Sequence, residues 1–226
     1  LPRPAACTRL PQQDSDIHPL TFFKHSPDID DRTIVLYRKG WMFTPACVAC
    51  VLAADLPVQI ERAKLGAEAP VIIPHPLDWD VVFAASGDVV AAGVQAGMSL
   101  YEARQIAPAA LVVEPDEAAY HNRHNAIETA LRDFSPVIET VRLGELLADA
   151  RGLERTHGGS QAVGEEIGTA VRSASGLTVQ VGLGGGRFIA QQAARQARPH
   201  GALVVPPGKE AAFLAPLSIE VLPNLP

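Results

Sequence analysis

The sequence has few cysteines and no long apolar run. Its cysteines, Cys7, Cys47 and Cys50, are odd in number, so a complete set of disulfides is excluded and a reducing compartment is expected. No apolar run reaches the ~18 residues that cross a bilayer. The first residues, Leu1-Pro2-Arg3-Pro4, lack the charged-then-apolar order of a secretory signal. These absences predict a soluble cytoplasmic protein with no membrane partner.

Positive charge is scarce as well. The chain has 25 Asp and Glu but only 19 Lys and Arg, so its formal net charge is −6. Only four of the basic residues are lysine. This balance argues against a protein that coats nucleic acid with its whole surface, although one face can still be basic. The 226 residues are 47% hydrophobic and 19% charged, which is ordinary globular usage for one or two domains and excludes disorder throughout.

The periodicity of apolar residues changes near residue 46. Residues 1–45 show neither a period of 2 nor one of 3.6, and they predict a poorly ordered extension. From Ala46 onward, apolar runs alternate with helical patterns, which indicates an α/β fold. Strands are predicted at 47–54, 71–73, 81–85, 111–113, 137–141, 145–150, 177–181 and 202–205, and helices at 57–61, 88–92, 99–107, 116–134, 161–174 and 187–197.

Two patterns with metal-ligand spacing favour core residues instead. Cys47 and Cys50 are three apart in a predicted strand, where side chains three apart point to opposite faces. His121 and His124 are three apart on a predicted helix, but His124 lies on its apolar stripe. Buried thiols and a core histidine are therefore predicted, and no metal site.

A glycine-rich segment, Val179–Phe188, is predicted to run from a strand through a turn at 182–186 into a helix. Backbone N–H groups and the helix dipole at such a turn attract phosphate. The spacing departs from a dinucleotide fingerprint, because Arg187 stands where the third glycine belongs and no acidic residue follows before Glu210.

The same region is basic although the chain is acidic. Residues 167–209 contain no Asp or Glu and five basic residues, which are Arg172, Arg187, Arg195, Arg198 and Lys209. This local positive charge indicates a polyanionic partner such as nucleic acid. The alternative is that these basic residues only form a solvated helix face.

In its order of segments, the chain from 48 to 226 resembles the Y-family translesion DNA polymerases, the UmuC/DinB group. The segments that carry the likeness are Gly93–Arg104, Ala107-Pro108 with Leu111–Val113, Phe134–Glu139, Thr178–Arg198 with Pro199–Gly201, and Pro206–Leu217. The resemblance implies an α/β (α+β) fold in which residues 46–226 form a ferredoxin-like palm with a mixed sheet of four or five strands and a small fingers lobe at about 70–112. The thumb and little finger would lie past Pro226.

The sequence departs from the family where the chemistry would lie. Active members hold two Mg2+ ions with carboxylates from two strands. Leu52 and Gly144 stand at the metal-binding aspartates, whereas Glu145 remains and Asp149 matches as a structural position. The aromatic gate against ribonucleotides and the two residues that grip the triphosphate are also replaced, by Leu56-Pro57, Gly87 and Val90.

These departures resemble the ImuB-type branch, whose members act as adaptors in mutagenic repair. The resemblance implies a degenerate polymerase of the bacterial cytoplasm that binds primer-template or damaged DNA in the SOS response, with phosphate contacts from Arg187, Arg195 and Arg198. Glu145 would be a catalytic remnant, no cofactor is expected, and Mg2+ is needed only if the protein is active. An active translesion polymerase and the replication clamp would bind through regions beyond this chain.

Three alternatives remain open at this stage. Asp55, Glu145 and Asp149 could recruit Mg2+ in a shifted register and keep polymerase activity. The turn at 182–186 could instead belong to a nucleotide-binding α/β enzyme. The palm could also survive only as a protein scaffold.

Overall fold

The computed structural model describes residues 48–66, 68–199, 201–218 and 221. The predicted extension at 1–45 lies outside the described residues. The strands are β1 Val48–Leu52, β2 Val71–His75, β3 Asp78–Ala85, β4 Leu111–Val112, β5 Ile138–Arg142, β6 Glu145–Asp149, β7 Gln180–Gly184 and β8 Ala202–Val204. The helices are α1 Leu56–Leu65, α2 Gly87–Ala91, α3 Leu100–Ile106, α4 Glu117–Arg132, α5 Leu153–His157, α6 Ser160–Ser175, α7 Arg187–Gln196 and α8 Glu210–Leu214. None of the helices in these ranges is long and apolar enough to cross a membrane.

A five-stranded mixed sheet forms the larger lobe, in the order β5-β6-β1-β7-β8. Its pairs are antiparallel except that β7 and β8 are parallel. The ferredoxin-like order of elements is present, formed by strands β1, β5, β6 and β7 with helices α4 and α6. The predicted ferredoxin-like palm is therefore confirmed.

Alternate residues of the central strand face opposite layers, as the period of 2 requires. Ala49 and Val51 lie in the main core together with Ile127 of α4 and Ile167 of α6. Cys50 and Leu52 face the other way and pack against two alanines of α7, in a cluster formed by Cys50, Leu52, Leu147, Ala190 and Ala194. The predicted backing of the sheet by the 116–134 and 161–174 helices is confirmed, and α7 covers the second face.

A smaller lobe contains a three-stranded sheet in the order β3-β2-β4. It has a core of its own, in which Ile72 and Val82 from the sheet pack against Val89 and Ala103 from its two helices. This lobe occupies the region predicted as fingers at about 70–112.

A buried network ties α1 to α4. Tyr120 donates a hydrogen bond of 2.8 Å to Glu61, which is 2% exposed, and Lys64 contacts both Glu61 and Asp116. Asp116 caps α4 as predicted, since its carboxylate accepts from the backbone N–H of Ala119. Burial, together with the hydrogen bond to the Glu61 carboxylate, raises the pKa of Tyr120.

The glycine segment differs from its prediction. Strand β7 begins at Gln180, three residues after the predicted start, so Gly182 and Gly184 are buried strand residues and only Gly185 and Gly186 form the turn. A Cβ at Gly182 would lie 2.1 Å from the Ala194 backbone nitrogen and 2.2 Å from the Ala190 carbonyl oxygen. Gly182 therefore lets α7 approach the sheet closely, and the predicted extent of the turn, 182–186, is wrong because only residues 185 and 186 lie outside the strand.

Candidate active site and nucleic-acid surface

Glu145 is the first residue of β6 and pairs with Leu52 of β1 across the sheet. It is 1% exposed, and three side chains donate to its carboxylate. Arg142 Nε lies 2.6 Å from Oε2, Gln191 Nε2 lies 2.8 Å from Oε1, and Arg195 Nη2 lies 3.5 Å from both oxygens. A buried carboxylate held by these donors is satisfied within the protein and is not available to a cation from solvent.

The side chains that pack beside Glu145 on this face of the sheet are apolar. Leu52, at the predicted metal position, is 6% exposed and packs with Cys50, Leu147 and the α7 alanines. Burial, and next the negative charge of Glu145, raise the pKa of the Cys50 thiol to about 12. The prediction of a buried thiol is confirmed for Cys50, whereas Cys47 lies outside the described residues.

Gly144, at the second predicted metal position, has no room for a side chain. It forms a two-residue turn with Leu143 between β5 and β6 and has a φ of +79°, in the left-handed region that favours glycine. A Cβ there would lie 2.9 Å from the carbonyl oxygen of Ala53. The Gly144 carbonyl also accepts a 2.8 Å bond from the Ala53 N–H, which holds the turn against β1.

The imidazole ring of His124 on α4 contacts the same turn. Its Nδ1 accepts a 3.1 Å hydrogen bond from the Gly144 N–H, and its side chain is buried, as predicted for a core histidine. Burial, with a smaller contribution from the charge of His121, lowers the pKa of His124, while Glu128 opposes that shift. The imidazole is therefore neutral in the folded protein, with Nδ1 free of its proton.

We expect the neutral His124 to make stability depend on pH. Its folded pKa lies below the unfolded value of about 6.5, so its stabilising effect is present above pH 6.5 and is lost as the pH falls below it. In denaturant unfolding between pH 7.5 and 5.5, the stability advantage of wild type over His124→Gln should shrink towards low pH. Asn122→Gln, an exposed change on the same helix that removes no titratable group, should keep a constant offset from wild type. A constant offset for His124→Gln would contradict the prediction.

The two other carboxylates considered for a shifted metal site, Asp55 and Asp149, form no metal-binding group with Glu145. Asp55 is exposed, with a φ of +51°, and makes no side-chain cap to α1. Asp149 is at the far end of β6, four residues and about 13 Å from Glu145 at the usual rise of a strand. It accepts hydrogen bonds from Arg151, which lower its pKa.

These residues do not fit the two Mg2+ ions that active family members hold about 3.5–4 Å apart. Within the described ranges, no group of three or more His, Cys, Asp or Glu side chains is placed to bind a metal. The residues at the positions of the aromatic gate and of the triphosphate contacts offer no polar side chain. Leu56 and Pro57 are buried, and Val90 is a half-exposed hydrophobic residue.

The three arginines predicted to contact phosphate lie on α7 or just after it, and two of them form ion pairs. Arg187 pairs with Glu139 of β5, and Arg195 reaches Glu145. Arg198 is exposed and makes no ion pair with any residue in the described part of the chain. The structure therefore brings Arg187 and Arg195 to the sheet surface that carries Glu145.

Arg142 and Gln191 belong to this cluster although the sequence patterns did not point to them. Arg142 could have been found, because it precedes Glu145 across a two-residue hairpin and cross-strand opposite charges commonly pair. Gln191 is 46 residues from Glu145 along the chain, and no local pattern connects them.

Comparison with known proteins places this geometry in a family. A family model described as the impB/mucB/samB family matches residues 50–195. DNA polymerase IV of Dehalococcoides mccartyi is 33% identical over 159 residues, which are 70% of this chain and 41% of that protein. DNA polymerase IV of Streptomyces coelicolor is 33% identical over 135 residues, which are 59% of this chain and 28% of that protein. The chain thus spans less than half of these curated relatives.

Solved structures share the fold. DinB from Sulfolobus solfataricus, 24% identical, superposes with a TM-score of 0.68 over 79% of this chain and 54% of that one. A Dbh ternary complex, 25% identical, gives a TM-score of 0.66 over 78% of this chain and 52% of that one. Because the family match covers more than half of the sequence and the palm and small lobe superpose on polymerases of this type, the chain belongs to the impB/mucB/samB family of Y-family polymerase domains.

Proposed function

We propose that this chain is a degenerate member of the family, of the ImuB type, that binds DNA as an accessory in translesion synthesis and does not transfer nucleotides. The observation that carries the proposal is how Glu145 is held by neighbouring side chains. Glu145 is the only carboxylate among the family's catalytic positions, which here are Leu52, Gly144 and Glu145, and Arg142, Gln191 and Arg195 donate to it. Leu52 and Gly144 have no side-chain oxygen to offer a cation, so the attacking and leaving oxygens of nucleotidyl transfer would not be neutralised by two metal ions.

DNA binding does not need those carboxylates. Contacts to backbone phosphates depend on cations and shape, and α7 supplies Arg187 and Arg195 without any acidic residue. Chemistry at a lesion would then come from an active translesion polymerase, recruited together with the replication clamp through parts of the protein beyond this chain.

Primer extension tests the inactive site. Purified protein is incubated with a fluorescent primer-template, nucleotides and either Mg2+ or Mn2+, and an active Y-family polymerase is the positive control. We expect no extension with either metal. Extension that disappears in Glu145→Ala would overturn the proposal and restore the shifted-register alternative.

DNA binding is tested by fluorescence anisotropy across a salt series. Replacing Arg187, Arg195 and Arg198 together by alanine should weaken binding and reduce the salt slope by roughly 0.9 for each phosphate that the variant no longer neutralises. The control replaces the exposed Arg104, Arg132 and Arg155, which removes the same charge elsewhere. Equal effects in the two variants would contradict local phosphate contacts, and no binding by wild type at low salt would leave a protein scaffold as the function.

A further inference from the structure

In the cluster around Glu145, the negative charge is buried and the positive charges are exposed. The Glu145 carboxylate is 1% exposed, whereas the side chain of Arg142 is 61% exposed and that of Arg195 is 40% exposed. An anion that approaches from solvent therefore meets two guanidinium groups before the carboxylate. One carboxylate faces two guanidinium groups, so the cluster keeps a positive charge.

We propose that Arg142 and Arg195, held by Glu145, form a metal-independent binding site for a phosphate group of the DNA backbone. The inference deepens the proposed function and rests on it, and it assigns a ligand contact to Arg142. In this site Glu145 is a positioning residue, and guanidinium groups carry the positive charge that metal ions supply in active relatives.

Arg142 has donors left for a ligand. It contacts Glu145 through Nε, and neither Nη atom donates to another residue of the described chain. Guanidinium groups have five N–H donors in a planar fork that matches the oxygens of a phosphate. The Nε atom can thus remain on the carboxylate while the Nη atoms meet a phosphate.

The surrounding contacts reduce the cost of ordering these side chains. Long arginine side chains lose rotamer freedom when they bind, and a side chain that is already held loses less. Arg142 is fixed by the cross-strand contact to Glu145, and Gln191 from α7 holds the other carboxylate oxygen at 2.8 Å. The guanidinium group of Arg142 is therefore positioned before the ligand arrives, and Arg195 adds a second guanidinium group 3.5 Å from both carboxylate oxygens.

The test compares Arg142→Ala with Arg132→Ala in binding of the fluorescent primer-template. Arg132 is a matched control, because it is 60% exposed and also pairs with a nearby glutamate, Glu128, but on α4. We expect Arg142→Ala to weaken binding about threefold to tenfold and to lower the salt slope by about 0.9. Arg132→Ala should bind like wild type, and addition of EDTA should leave the wild-type affinity unchanged.

Equal affinities for Arg142→Ala, Arg132→Ala and wild type would overturn the assignment, while the DNA binding of the proposed function would stand. A loss of wild-type affinity in EDTA would also overturn it. Arg142→Lys keeps the charge but not the fork, and we expect an intermediate affinity, which separates phosphate recognition from misfolding when both variants show wild-type circular dichroism.

If wild type does not bind primer-template, the proposed function fails and inorganic pyrophosphate becomes the probe. Thermal unfolding is then followed in wild type, Arg142→Ala and Arg132→Ala with and without pyrophosphate. Stabilisation that Arg142→Ala alone loses would support the phosphate site independently of DNA. Equal shifts, or no shift in any of the three, would overturn it.

Discussion

Replacing Gly182 by alanine should be the most damaging single change in the larger lobe. The new methyl group would lie within 2.2 Å of backbone atoms of α7, which cannot move aside as a flexible side chain can. The helix must then separate from β7, and we expect the free energy of unfolding to fall by more than about 3 kcal/mol. Denaturant unfolding measures this loss, and the melting temperature should drop by about 10 °C.

Gly186→Ala provides the control, because it lies in the same glycine segment but has no atom near its would-be Cβ and an extended φ. We expect a cost below about 1 kcal/mol, typical of a helix N-cap without a side-chain bond. Comparable losses for Gly182→Ala and Gly186→Ala would show that close approach of α7 is not what the glycine provides.

Gly144→Ala should cost about 2–4 kcal/mol of unfolding free energy, since strain and a close contact combine there. Its φ is in the left-handed region, and the added Cβ would meet the Ala53 carbonyl oxygen at 2.9 Å. A carboxylate introduced by Gly144→Asp meets the same obstacle, so we expect that variant to be destabilised and to show no primer extension.

Gly152→Ala separates the two contributions to this cost. Gly152 has a similar φ of +86° but nothing within 4 Å of its would-be Cβ. It should lose only the backbone preference, about 1–2 kcal/mol. The difference between the two alanine variants, measured by urea unfolding, then gives the cost of the close approach at Gly144, and no difference would contradict it.

Much of the fold was predictable because apolar periodicity reports burial. The stripe of Tyr120, His124, Ile127 and Leu131 is buried on α4 as the pattern predicts. The start of β7 was misplaced because Leu177 and Val179 are buried residues that lie outside the strand. Periodicity alone cannot distinguish burial under a helix from pairing in a sheet.

Helix α5 was missed for a different reason. It has five residues and no buried side chain, and glycines with positive φ precede and follow it, so it has no apolar stripe to detect. Such short helices depend on local turns and do not show the period of 3.6.

The candidate site was only partly predictable from the sequence. The resemblance to the family pointed to Leu52, Gly144 and Glu145, and the structure puts Leu52 and Glu145 opposite each other. The resemblance did not predict what surrounds Glu145, because Gln191 and Arg195 come from α7, 46 and 50 positions away. Contacts over such separations depend on how the helix packs against the sheet.

The packing at Leu52 and Gly144 also limits how this sequence can evolve. An aspartate at position 52 would place a carboxylate in the apolar cluster with Cys50 and Leu147, at a cost in stability unless partners change as well. A side chain at position 144 would strain the turn. We therefore expect each single substitution towards a metal site to cost folding stability before a full set of metal ligands is present, so that a stepwise route to such a site meets a stability barrier.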